Sequence, residues 1–117
     1  MDNTKGIPRL VRAMKATLAG LKWAAKNEEA VQLELFGLLF FIPLGLWLGD
    51  NGVERALLVG SVFLVLLVEI INTGIEAAID RIGPERHELS GVAKDLGSAA
   101  VFIALVMAAI TWALLLL

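Results

Sequence analysis

The chain has no cysteine and only one histidine, His87, among its 117 residues. The absence of cysteine excludes disulfide bonds, thiol nucleophiles and thiolate metal sites, and a lone histidine argues against a zinc centre. Charged residues are also scarce, at 19%, whereas 58% of the residues are hydrophobic. A chain this short cannot bury so much apolar surface in one water-soluble core, so we expect a single membrane domain over residues 1–117. The net charge of −2 gives no indication of nucleic-acid binding.

The common signatures of soluble enzymes are missing as well. The sequence contains no GxxxxGK[ST], GxGxxG, GxSxG or HExxH motif. If the protein uses a nucleotide, it therefore binds it without a known phosphate loop.

The first 27 residues are basic and amphipathic. Apolar residues recur there at spacings of three and four, which predicts a helix over residues 7–27 that lies in the lipid headgroup region. Packing of this helix on a soluble partner is the alternative. The segment holds six of the ten Lys and Arg residues: Lys5, Arg9, Arg12, Lys15, Lys22 and Lys26.

Three uncharged stretches follow, at residues 35–48, 56–68 and 97–117. The last has 21 residues, and a helix of that length spans about 30 Å, the thickness of the hydrocarbon layer. We therefore predict an all-α integral membrane protein with transmembrane helices at 31–49, 55–80 and 94–117. The third helix carries small residues that permit close packing of helices in lipid: Ala93, Gly97, Ala100, Ala104 and Ala108.

The basic residues also predict the orientation. Nine of the ten Lys and Arg residues fall on one side of the membrane if the chain crosses three times, and only Arg55 lies on the other. The positive-inside rule then places the N-terminus in the cytoplasm and the C-terminus outside.

A row of polar residues in the second span is the most informative feature. Glu69, Asn72, Thr73, Glu76 and Asp80 share one helix face, because their spacings follow the helical period. Acids at membrane depth are costly and usually functional, although a structural polar seam between helices is the alternative. More acids lie near the first span, and a mixed-charge loop after Ile82 offers ligands for Mg²⁺ and phosphates. Two classes remain from the residues alone: an enzyme with a buried Glu base, and a small oligomeric transporter of cations or protons.

The run EIINTGIEAAIDRIGPERHELSGVAKDLGSAAV, from Glu69 to Val101, closely resembles the prokaryotic diacylglycerol kinase family. The similarity extends to AAKNEEAVQLE and to GIPRLVRA nearer the N-terminus, so it covers essentially the whole chain. Its core, EhhNxxhExxhDR (h, apolar) followed by HExSxxAKDxxSAAV, is highly specific. The resemblance implies a homotrimer in the bacterial inner membrane that transfers the γ-phosphoryl group of MgATP to diacylglycerol, giving phosphatidate.

The resemblance also implies roles for individual residues. Glu69 would be the general base, Asn72 would organise the polar cluster, and Glu28 and Glu76 would bind the metal. Contacts to the nucleotide would come from Glu85, Arg86, His87, Lys94 and Asp95. The lipid site would be lined or gated by Arg9, Glu34, Arg55, Glu69, Ser98 and Trp112. A related branch of the family uses the same motif to phosphorylate undecaprenol, so that lipid remains an alternative substrate.

Overall fold

The structure, a computed structural model, describes residues 5–83 and 87–117. Its helices are α1 (Gly6–Asn27), α2 (Glu29–Leu48), α3 (Gly52–Ile82) and α4 (Glu88–Leu116). The last three are long and apolar enough to cross a membrane. The prediction of an all-helical chain with three candidate membrane spans is thereby confirmed.

The junction between α1 and α2 is a single extended residue, Glu28, with φ −121° and ψ 113°. Pro8 lies in the first turn of α1, where a backbone N–H has no partner within the helix. The basic side chains of α1 are exposed, and so are apolar ones such as Ile7 and Leu10. Exposure of both faces is typical of a helix at a water–lipid boundary.

The turn between α2 and α3 is tight and well capped. The Asn51 Oδ1 atom accepts a hydrogen bond from the Glu54 backbone N–H at 2.9 Å, and Glu54 Oε1 accepts one from the Asp50 N–H at 3.0 Å. The first bond satisfies a backbone donor that the start of α3 leaves open, and the second ties the preceding turn to the Glu54 side chain. Gly49 is required here because a Cβ atom on it would lie 2.6 Å from Arg55 Cγ.

The buried core is small, because most of each span faces outward. Ala24, Val31, Leu38 and Leu66 pack together from α1, α2 and α3. Large apolar side chains such as Leu39 and Leu114 are more than three-quarters exposed, at 76% and 78%. Such surfaces suit contact with lipid or with neighbouring chains in a membrane.

Helix α3 is longer than a membrane is thick. Its 31 residues give a length of about 46 Å, against about 30 Å of hydrocarbon. About 20 residues of helix cross the hydrocarbon layer, so a span that begins at Gly52 ends near Asn72. Glu76 and Asp80 therefore lie beyond the layer. In α4, a span of the same length that ends at Leu116 begins near Gly97. The polar parts of both helices therefore meet at one boundary of the hydrocarbon layer.

Candidate active site

Three polar residues of α3 are buried at this boundary. Glu69, Asn72 and Thr73 are 8%, 7% and 6% exposed. The Asn72 Nδ2 group donates a hydrogen bond to Glu76 Oε1 at 2.9 Å, one helical turn further along. Because that bond engages one carboxylate oxygen, it restrains the direction in which the Glu76 carboxylate points.

Three further carboxylates lie within electrostatic range of Glu69. Its carboxylate interacts electrostatically with those of Glu34, Glu76 and Glu28. Glu28 lies at the junction of α1 and α2, and Glu34 follows in α2. Because like charges repel, this set of carboxylates favours a cation nearby.

The donors in this group fit Mg²⁺ when phosphate is present. Within residues 5–83 and 87–117 of one chain, no three Asp, Glu or His side chains are close enough to enclose a metal ion. Mg²⁺ usually takes one or two carboxylates together with substrate phosphates, rather than a cage of protein ligands. Glu28 and Glu76, the metal ligands expected from the sequence, are carboxylates of the kind that Mg²⁺ takes in this mode of binding.

An ion pair joins α3 to α4 on the polar side of the cluster. Lys94 Nζ lies 2.9 Å from Asp80 Oδ1, and both side chains are substantially exposed. Asp80 belongs to the polar row seen in the sequence, but its pairing with Lys94 was not predicted. The two residues are 14 positions apart, whereas helical spacing predicts contacts only between residues about three or four positions apart.

An apolar cavity of about 370 Å³ lies between α2, α3 and α4. Glu34 is the charged residue in its lining, and Trp112 lies on the wall formed by α4. Cavities of this size accommodate small apolar ligands or parts of larger ones. The complete lining is Leu33, Glu34, Gly37, Leu38, Phe41, Val62, Val65, Leu105, Ala108, Ala109 and Trp112.

Hydrogen bonds hold Trp112 in the cavity wall. Its Nε1–H group donates to the Leu58 carbonyl oxygen at 3.1 Å and to Ser61 Oγ at 3.0 Å. Its ring packs edge-to-face on Phe41, with centroids 5.4 Å apart. The indole therefore presents carbon atoms to the cavity and uses its polar group to join α4 to α3. Ser61 was not among the predicted site residues.

The other predicted site residues lie away from this cavity. Arg9, Ser98 and Asp95 are exposed, and Arg55 Nε donates to the Leu46 carbonyl oxygen in the turn between α2 and α3. His87 caps α4, with its Nδ1 atom accepting from the Leu89 N–H at 3.1 Å. The predictions for Glu85 and Arg86 fall outside the described residues.

Comparisons with known proteins cover nearly the whole chain. Residues 15–116 match the family model described as prokaryotic diacylglycerol kinase. The diacylglycerol kinase of Escherichia coli strain K12 is 48% identical over 115 residues, which is 98% of this chain and 94% of that protein. The Haemophilus influenzae enzyme is 48% identical over 96% of this chain and 95% of its own length. A diacylglycerol kinase of Helicobacter pylori is 39% identical over 92% of this chain and 84% of its own length.

The family model covers α2, α3, α4 and the second half of α1, and the relatives cover 92–98% of the chain. The resemblance inferred from the motif around Glu69 is confirmed. The chain is a multi-pass membrane protein that belongs to the prokaryotic diacylglycerol kinase family.

Proposed function

We propose that this chain transfers the γ-phosphoryl group of ATP to the primary hydroxyl group of diacylglycerol, with Glu69 as the general base. The position of Glu69 carries the proposal. Its buried carboxylate interacts with Glu34, which lines the apolar cavity, and with Glu76 toward the polar end of α3. A lipid hydroxyl group at Glu69 would thus have the apolar cavity on one side and, on the other, the Glu76 carboxylate that we assign to the metal-bound phosphates.

The reaction requires one proton transfer and one exchange of bonds at phosphorus. Glu69 accepts the hydroxyl proton as the lipid oxygen attacks the γ-phosphorus atom. The bond from that phosphorus to the β–γ bridging oxygen breaks, and ADP leaves with the electron pair. Phosphoryl transfer otherwise depends mainly on positioning and on neutralising charge, which a cluster of oriented carboxylates with a metal provides.

Glu28 and Glu76 would hold the Mg²⁺ ion that accompanies ATP. When bound, Mg²⁺ neutralises phosphate charge and withdraws electron density from the transferred group. Asn72 contributes by fixing the Glu76 carboxylate through its 2.9 Å hydrogen bond. Further contacts to the nucleotide are assigned, from the resemblance, to residues in the first turns of α4 and in the sequence just before it: Glu85, Arg86, His87, Lys94 and Asp95.

The apolar cavity is the proposed position of an acyl chain. Its lining extends from Glu34, which interacts electrostatically with Glu69, to Trp112 near the end of α4. Arg9, Ser98 and Arg55 complete the proposed lipid site, but they lie apart from this cavity within one chain. They would act from a neighbouring subunit or at the mouth of the site.

A homotrimer with sites shared between subunits accounts for two features of the single chain. Many large apolar side chains of α2 and α4 are exposed, and no three acidic or His side chains in the described parts of the chain could enclose a metal. The proposed location is the bacterial inner membrane, with α1 on the cytoplasmic surface. The distribution of nine of ten basic residues supports this orientation.

The test is MgATP-dependent phosphorylation by the purified protein in mixed micelles, with diacylglycerol and undecaprenol offered separately. We expect phosphatidate to be the faster product. Faster phosphorylation of undecaprenol would refute the proposed substrate and retain the mechanism. If neither lipid is phosphorylated, while vesicles containing the protein show cation or proton flux, the proposed reaction is wrong and the transporter alternative is correct.

A further inference from the structure

Helices α3 and α4 approach each other closely where Gly97 faces Asn72. Gly97 is buried, and a Cβ atom built on it would overlap Asn72 Oδ1 and lie 3.0 Å from Asn72 Cγ. At Gly91, in the same helix, no atom of the described residues outside that stretch of helix lies within 4 Å of the equivalent position. The amide group of Asn72 therefore occupies the space that a side chain at position 97 would fill.

The Asn72 amide is restrained at both of its ends. Its Nδ2 group donates to Glu76 Oε1, and its Oδ1 atom is buried against α4 without a hydrogen-bond donor in the described part of the chain. A buried carbonyl oxygen without a partner is uncommon. Packing against the bare Cα of Gly97, rather than a hydrogen bond, holds this end of the amide in place.

We propose that Gly97 is a positioning residue for phosphoryl transfer: its lack of a side chain sets the Asn72 amide, which in turn orients the Glu76 carboxylate. The inference rests on the proposed function, because it assigns Glu76 to the metal-bound phosphates. Gly97 itself touches neither substrate. It acts through Asn72, across 25 positions of sequence.

The first test is Gly97→Ala, with Gly91→Ala as the matched control in the same helix. The added methyl group must displace the Asn72 amide, and the bond to Glu76 is then lost. We expect kcat to fall by about 100-fold, the effect of misplacing a catalytic group by about 1 Å. The Mg²⁺ concentration for half-maximal activity should rise, while KM for diacylglycerol stays the same. Gly91→Ala should match the wild type in all three quantities.

A second test separates this role from simple helix spacing. In an Asn72→Ala background the amide is gone, and the nearest remaining atom of residue 72 would be its Cβ at 3.7 Å, an ordinary contact. Gly97→Ala should therefore lower the thermal unfolding midpoint of the wild type but leave that of Asn72→Ala unchanged. If Gly97→Ala alone fails to fold, the double variant should still fold as Asn72→Ala does.

Several results would overturn the inference. They are a Gly97→Ala variant with wild-type kcat, a loss of kcat with no change in Mg²⁺ dependence, and an equal fall in unfolding midpoint in both backgrounds. Failure of the double variant to fold, when Asn72→Ala folds, would do the same. Inactivity of the wild-type protein toward diacylglycerol would instead refute the proposed function, and the unfolding measurements would still test the contact between Gly97 and Asn72.

Discussion

Substitution of Trp112 by Phe tests whether this residue joins α3 to α4 as the structure shows. Phe keeps an aromatic ring against Phe41 but removes the N–H group that donates to the Leu58 carbonyl oxygen and to Ser61 Oγ. Hydrogen bonds between membrane helices average about 0.6 kcal/mol and reach about 1.7 kcal/mol. Because one N–H serves two acceptors and the smaller ring also loses packing, we expect a loss of about 1–2 kcal/mol.

The assay is reversible unfolding in mixed micelles, with Trp47→Phe as the control. Trp47 is 79% exposed, so its substitution should leave the free energy of unfolding unchanged. Ser61→Ala removes one acceptor, and its effect should not add fully to that of Trp112→Phe, because the two changes break a shared hydrogen bond. Equal unfolding free energies for Trp112→Phe and Trp47→Phe would refute the structural role of the indole N–H.

Two further predictions concern stability. Asp80→Asn removes the ion pair with Lys94, whose groups are 2.9 Å apart but substantially exposed. A denaturant titration should therefore show little or no loss of stability, and a clear loss would mean that the pair is buried in the assembly. Gly45→Ala places a Cβ atom 3.2 Å from that of the fully buried Leu58, whereas the Cβ atom of Gly60→Ala meets no described residue outside its own stretch of helix within 4 Å. The same titration should find Gly45→Ala less stable than Gly60→Ala by about 1–3 kcal/mol, the usual effect of overpacking, and equal stability would contradict the close packing of α2 on α3.

The number and type of helices follow from the sequence because hydropathy and helical period are local properties. The helix ends are less accessible to this reasoning. The apolar pattern predicts a third span from residue 94, but α4 begins at Glu88, where the His87 side chain caps it. Likewise α3 begins at Gly52, ahead of residue 55, because the Asn51 side chain caps it by accepting a hydrogen bond from the Glu54 N–H. Because the first turns of both helices are polar, a hydropathy pattern does not show where these helices begin.

The candidate site, like the helices, could be predicted only in part from the sequence. The polar row of α3 is readable from its spacing, and the hydrogen bond from Asn72 to Glu76 is one such neighbour contact. Contacts between different helices cannot be predicted from the spacing of residues within one helix. The bond from Trp112 to Ser61 joins residues 51 positions apart, and Gly97 is marked only as one of several small residues in α4. The trimer and the division of each site between subunits remain predictions.

The substitution Glu69→Gln tests the central claim most directly. It keeps the size of the side chain and removes its ability to accept a proton, and general-base catalysis typically contributes about 10²–10⁴-fold. We predict that the variant folds, assembles and binds MgATP like the wild type, while phosphorylation of diacylglycerol falls by about that factor. Activity equal to that of the wild type, in a protein shown to carry Gln at position 69, would contradict the assignment of Glu69 as the base.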